Sequence, residues 1–411
     1  MTAAVTEAPA LIAQPPPPVR RDRMVQVWLL TAALSWFGDA VFAVALAWTA
    51  VHLVSPALAG LVVAVEMVPQ ALLVLVGGVL ADRVDTRRLL VLGHIGRAAV
   101  LVVGAVLWSQ VGPSPVVLAG VALSFGVIAG LTMPAGATLA RQLVHVDDLA
   151  TVSGWSQILG RLARLAGAPV GAVVVAQAGM GAAMLMDAVS FAAMAVLLLV
   201  VVRPRFRMPR TPHEGWRSSL GGGLSYLRRA PAARTLVVGI CALNVFIGPV
   251  IGIGVALRVT HSGWAATWVG LAEAVFGAGA IAGSALAIRV RPAHLARAGF
   301  WVLVGQGVAI VAVAMPARAL LLAGMAGIGV AAGLASVWIS TAYQRAVAVS
   351  HLGRVSSLNQ LGDLLILPVT TPVFGAFVSG VGVSSAIGIF GAAMTAMCLW
   401  FATRPLIRAL T

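Results

Sequence analysis

From residue 25 onward the chain alternates long apolar runs with short polar joints. A helix rises about 1.5 Å per residue and a bilayer core is about 30 Å thick, so roughly 20 consecutive apolar residues suffice to cross it. This rule predicts twelve spans, at 25–51, 57–81, 88–109, 115–140, 152–176, 181–202, 233–257, 265–288, 297–315, 319–342, 355–378 and 382–403. The pattern therefore predicts an all-α integral membrane protein, and the even count returns both termini to one side. Residues 1–24 are Pro-rich and polar, with no apolar core ahead of Arg20, Arg21 and Arg23. They read as a disordered cytoplasmic tail and not as a cleavable signal.

Composition sharpens the class. The chain has 411 residues, 60% of them hydrophobic and 9% charged, against about 25% charged in a soluble domain. A soluble fold cannot hide that much apolar surface. The net charge of +15 raises nucleic-acid binding, but the basic residues, all arginine, follow topology and form no single patch. One side carries Arg20, Arg21, Arg23, Arg83, Arg87, Arg88, Arg141, the run from Arg203 to Arg234, Arg289, Arg291, Arg297, Arg345, Arg354, Arg404 and Arg408; the opposite joints hold Arg258 and Arg318. That asymmetry places both termini in the cytoplasm of a cell membrane and argues against a nucleic-acid partner. Cys241 and Cys398 fall inside apolar spans and offer no disulfide framework or metal-ligand spacing.

The chain also repeats itself. Gly77-Gly78-Val79-Leu80-Ala81-Asp82-Arg83-Val84 recurs as Gly283-Ser284-Ala285-Leu286-Ala287-Ile288-Arg289-Val290, and Leu149, Val152, Ser153 and Pro169 recur as Leu352, Val355, Ser356 and Pro372. Two pseudo-symmetric six-helix halves follow, at 25–202 and 233–403, joined by a cytoplasmic linker at 203–232 and closed by a tail at 404–411. Gly78 permits close approach of a neighbouring helix. Asp82, at a helix end, suits backbone N–H groups and nearby arginines.

Gly78-Val79-Leu80-Ala81-Asp82-Arg83, with Arg87 and Arg88, resembles the signature between the second and third helices of the major facilitator superfamily. Asp85 stands where that signature ordinarily has its second Gly, and Thr86 where its closing basic pair begins. Further segments resemble the exporter branch that includes the enterobactin exporter and related siderophore and drug permeases. They are Ser35-Trp36-Phe37-Gly38-Asp39, Met133-Pro134-Ala135, Asp148-Leu149-Ala150, Asp187-Ala188-Val189-Ser190-Phe191, Leu224-Ser225-Tyr226-Leu227-Arg228 and Gly353-Arg354-Val355. The resemblance covers the chain after residue 24. It implies a secondary transporter working by alternating access, with Asp82 latching the cytoplasmic side beside Arg83, Arg87 and Arg88. Gly160, Gly167, Pro169 and Gly171 in the fifth span are similar to an antiporter motif, with Ala168 in place of a Gly; simple helix packing explains them equally well.

Ionisable residues inside the spans are the sharpest functional clue, because a charge at mid-bilayer costs about 2.5–3.5 kcal/mol on insertion scales. Asp39 and Glu66 fall near mid-depth, where desolvation suits a carrier of a coupling proton. Arg97, Arg161 and Arg164 serve either an anionic substrate group or charge balance with the carboxyls. Asp363 belongs to the second half and is a candidate to face the central cavity, while Asp187 and Glu273 fall toward the external ends of their spans and are expected to meet water. His94 lies nearer the cytoplasmic end. Trp36, Trp48, Trp155, Trp268, Trp338, Met67 and Met133 are candidates for an adaptable apolar cavity, although tryptophan is equally expected at the membrane interface.

These observations predict a monomeric, proton-coupled exporter of a hydrophobic or amphipathic small molecule such as a drug, siderophore or natural product. Its expected partners are substrate, protons and lipid, with no metal and no cofactor. The alternative is an uptake or lipid-translocating permease of the same fold. No nucleotide-binding loop, metal-ligand cluster or nucleophile–base arrangement supports an enzyme.

Overall fold

The computed structural model describes Pro17 and residues 19–206, 216–290 and 292–408. All twelve predicted spans are helical. They are α1 (Arg23–Leu53), α2 (Pro56–Arg83), α3 (Thr86–Val111), α4 (Pro115–Leu143) and α5 (Leu149–Val200), then α6 (Trp216–Arg229), α7 (Pro231–Pro249), α8 (Val255–His261) and α9 (Thr267–Arg289). The remainder are α10 (Leu295–Ala314), α11 (Arg318–Ala346), α12 (Val349–Val381), α13 (Val383–Thr403) and the short α14 (Pro405–Arg408). α5 supplies two crossings, because Gly179 adopts φ +76° and breaks it into antiparallel arms, a conformation in which glycine is unstrained. α7 runs through a π-helical turn, Val250–Gly254, into α8 to make one crossing. α6 is an amphipathic helix outside the twelve and occupies the second part of the linker.

Local chemistry sets the ends of these helices. Pro56, Pro115 and Pro231 occupy first positions, where the missing N–H costs nothing. Asp22 caps α1 by accepting the Val25 N–H at 3.3 Å and also pairs with Arg205, whose backbone N–H donates to the Gln142 carbonyl at 2.8 Å. Residues 19–24 are thereby held against the ends of α1 and α4; residues 1–16, 18 and 207–215 lie outside the described set.

The halves repeat one arrangement. The pairing of α2 with α4 recurs as α9 with α11, and that of α3 with α5 recurs as α10 with α13. α2 packs on α12 and α5 on α9 to join the halves. These joints are tight on the face opposite Arg83. A Cβ added to Gly60 would lie 2.7 Å from the Thr371 carbonyl oxygen, one on Gly270 would lie 2.6 Å from Pro169 Cα, and Ala57 N–H donates to the Ser379 hydroxyl at 3.3 Å. Toward the arginine-rich face, Gly78 meets nothing within 4 Å.

Arg258, one of two arginines assigned to the opposite joints, is 2% exposed. Its guanidinium donates to the Ala314 carbonyl at 3.1 Å, to Ser384 at 2.6 Å and to Ser262 at 2.7 Å, fastening α8 to the end of α10 and the start of α13. Arg258→Met strands three acceptors and is expected to destabilise the protein by about 1–3 kcal/mol, read as a lower thermal midpoint in detergent. An unchanged midpoint would show that these bonds contribute no net stability.

Candidate functional site

The site begins with close helix packing on either side of the first two spans. Gly38 has no side chain to collide with Asp187 and Ser190, so α1 closes on the second arm of α5 and sets the neighbouring Asp39 at the centre of its half. Gly126 of α4 lies directly against the Glu66 carbonyl and Gly130 against Gln70, which seats α2 with Glu66 and Gln70 facing inward. A cavity of about 420 Å³ results, and Asp39, Glu66, Arg97, Arg164 and Glu273 all line it. Most of its wall is the first half, but Ile251 and Gly252 from the π-helical turn and Glu273 from α9 close it from the second.

Three carboxyls and two guanidiniums thus share one space. Among the described residues the ion pairs are Asp22–Arg205 and His145–Asp147, so none of these five groups is paired within 4.0 Å. Arg97 finds partners of another kind, though its Nε is buried without one: its guanidinium lies 5.0 Å from the Phe125 ring centre and 5.2 Å from that of Phe191, with Thr132 at 3.5 Å. Aromatic faces and a hydroxyl carry its charge in place of a carboxylate. One oxygen of Asp39 is buried without a hydrogen-bond partner. A buried carboxyl left this way is costly as an anion and open to a proton.

Two expectations are corrected. Asp187 does not meet water: it is fully buried behind Asp39, accepting the Ser190 hydroxyl at 2.9 Å with its other oxygen unpartnered. Glu273 likewise faces the interior, lining two cavities between the halves. Asp187 packs against Gly38 beside Asp39, and Glu273 shares a cavity with Asp39 and Glu66, so the surroundings of each residue are settled by packing. His94 lies tilted against Phe191, ring centres 5.6 Å apart, in the same buried cluster.

A second cavity of about 300 Å³ is lined by Arg161, Arg164, Glu273 and Ser336. A third, about 1020 Å³, extends into the second half, with Met67, Arg161, Asn244, Gln306, Tyr343 and Asn359 among its walls. Asp363 stands behind it, accepting Asn244 at 2.7 Å and Asn359 at 3.4 Å. The sequence reading missed Gln70, Asn244, Gln306 and Asn359, amides whose polarity inside apolar runs was the available signal. Of the tryptophan and methionine candidates, Trp36 and Met67 line cavities. Trp338 is instead buried, donating to the Val290 carbonyl at 3.0 Å, Trp268 lies under Arg318 at 5.0 Å, and Trp48 lies tilted against His52 with ring centres 4.2 Å apart.

The signature residues sit at the arginine-rich face. Asp85 caps α3 by accepting the Arg88 N–H at 2.8 Å, which gives a physical use to the residue that replaces the family's Gly. Arg87 donates to the Leu198 and Leu199 carbonyls at the end of α5, and Arg83 and Arg88 are exposed. The side chain of Asp82 lies outside the described residues. Gly160, Gly167 and Gly171 pack on Trp36, Phe37 and Val41 of α1, whereas Pro169 touches Gly270 of the other half.

A family profile described as the Major Facilitator Superfamily matches residues 28–366. The chain belongs to the major facilitator superfamily. Solved structures of such transporters share its fold. The nucleoside transporter NupG aligns at a TM-score of 0.68 and 15% identity, covering 92% of this chain and 98% of that one. A bacterial homologue of the iron transporter ferroportin, in an inward-facing state, aligns at 0.71 and 16%, covering 93% and 99%. A POT family transporter in complex with a thioalcohol-conjugated peptide aligns at 0.72 and 11%, covering 94% and 97%. No curated protein matches the sequence. As a member of the major facilitator superfamily, the chain is a multi-pass membrane transporter for a small-molecule substrate.

Proposed function

We propose that this chain is a secondary active transporter that exports a hydrophobic or amphipathic small molecule in exchange for protons. The observation that carries the reading is the shared cavity in which Asp39 and Glu66 stand without an ion-pair partner at the meeting of the halves. A carboxyl with guanidiniums nearby but none paired to it can bind and release a proton as its surroundings change, and it biases a conformational equilibrium through its differing affinity in the two states. With the arginine-rich face in the cytoplasm, an arrangement open to that face would load cargo there. Rocking of the halves would open the tight face, release cargo outward and expose Glu66 and Asp39 to incoming protons, with Asp82 and its arginines latching the cytoplasmic side.

The test is proton-gradient-driven uptake of dyes, antibiotics and siderophores into inverted membrane vesicles. The wild type should accumulate at least one compound in proportion to the gradient. Glu66→Gln or Asp39→Asn at equal expression should abolish gradient-driven accumulation while leaving substrate binding intact. Unchanged transport in both variants would move coupling to other residues, and no gradient-dependent flux for any compound would overturn the export reading.

A further inference from the structure

Three arginines elsewhere in the chain find partners within the protein. Arg258 has a backbone carbonyl and two hydroxyls, Arg97 has two aromatic faces and a threonine, and Arg87 has two carbonyls. Arg161 and Arg164 differ. Neither makes a hydrogen bond, an ion pair or a ring contact with any described residue; both are exposed, within a membrane-spanning arm of α5, to the cavities they line. Glu273 lines the same cavity without pairing with either.

Their placement is equally specific. Three residues apart, they share one face of the helix. Arg161 lines the 300 Å³ and 1020 Å³ cavities, and Arg164 lines the 300 Å³ and 420 Å³ cavities. The pair therefore sits where all three spaces adjoin. The largest is walled mainly by apolar side chains with a few amides and hydroxyls, and no carboxyl is among its lining residues.

Resting on the transporter reading above, we propose that Arg161 and Arg164 form a clamp for the anionic group of the cargo, whose apolar body occupies the 1020 Å³ cavity. The substrate class is then an amphipathic organic anion, a carboxylate or sulfonate joined to an aromatic or aliphatic body. Two planar guanidiniums on one face suit such a group, since each offers paired N–H donors to two oxygens. A strongly charged anion without an apolar body would leave the large cavity unfilled, and a neutral amphipath would leave the two charges unanswered.

The experiment compares two probes with the same ring system, anilinonaphthalene sulfonate and the uncharged phenylnaphthylamine. Binding is measured by equilibrium dialysis to protein in phosphatidylcholine nanodiscs, with empty discs subtracted. The wild type should prefer the sulfonate. Arg161→Gln with Arg164→Gln should weaken the sulfonate by roughly tenfold to a hundredfold, the loss of one or two charge-assisted hydrogen bonds, and leave phenylnaphthylamine unchanged. Arg161→Lys with Arg164→Lys, keeping the charge, should recover part of the affinity. Equal loss of both probes would indicate a collapsed cavity and overturn the clamp, as would unchanged sulfonate binding. Discs containing phosphatidylglycerol separate cargo from lipid: a fall in wild-type sulfonate binding, absent from the double variant, would make a lipid headgroup the occupant and overturn the cargo assignment. None of these readouts uses a proton gradient, so loss of the clamp leaves gradient-driven export to be judged on the vesicle assay.

Discussion

Cysteines introduced at Ala57 and Ser379 are expected to form a disulfide that stops transport completely and reversibly. The Ala57 N–H donates to the Ser379 hydroxyl at 3.3 Å, so the start of α2 and the end of α12 lie side by side on the tight face. Gly375 rests on Pro56, and Gly60 on Thr371, within the same contact. A covalent link there holds the halves together where the outward step needs them to part. The native Cys241 and Cys398 lie inside spans, half-buried and buried, and are replaced by alanine as the background. Transport in inverted vesicles should be normal when reduced, fall to background after copper–phenanthroline oxidation and return with reductant. A crosslink formed in full with transport intact would show that this face does not open, against alternating access in this protein.

Gly126→Leu is expected to have the largest effect of any single substitution on the folded state. A Cβ at this position runs into the Glu66 carbonyl oxygen and lies 2.8 Å from the Glu66 carbonyl carbon and 2.9 Å from Pro69 Cγ. Backbone cannot rotate away as a side-chain tip can, so α4 and α2 must separate along their packed seam. Overpacking of this kind costs about 1–3 kcal/mol, a large share of a total stability of about 5–15 kcal/mol. The same shift displaces Glu66 within its cavity. The thermal midpoint in detergent should fall by several degrees and gradient-driven transport should be lost. Gly120→Leu is the control, since Gly120 is on the same helix and meets nothing within 4 Å. Equal behaviour of the two variants would rule out the α2–α4 seam as the cause.

The span boundaries were legible within a few residues because crossing a bilayer is a matter of apolar length along one dimension. The one conspicuous merger, α5, still turns at Gly179 in the short gap between the fifth and sixth predicted spans. Site residues were legible to the extent that a charge inside an apolar run is conspicuous: Asp39, Glu66, Arg97 and Arg164 meet in one cavity. Asp187 and Glu273 were equally conspicuous and were assigned to water, because position along a span reports depth and says nothing of which neighbour a side chain faces. Asp363 shows the same limit from the other direction, lying one layer behind the cavity wall with Asn244 and Asn359 in front of it.

What the amino-acid order determined by itself is the membrane class, the twelve helices, their duplication into halves, and a short set of intramembrane charges. Those follow from transfer free energy and self-similarity, which are properties of the chain alone. Which charges share a space, which are satisfied by the protein and which stand unpaired was decided by the tertiary structure. Helices pack through glycines at Gly38, Gly126 and Gly270, and the rotation each contact imposes on its helix chooses the side chains that look inward.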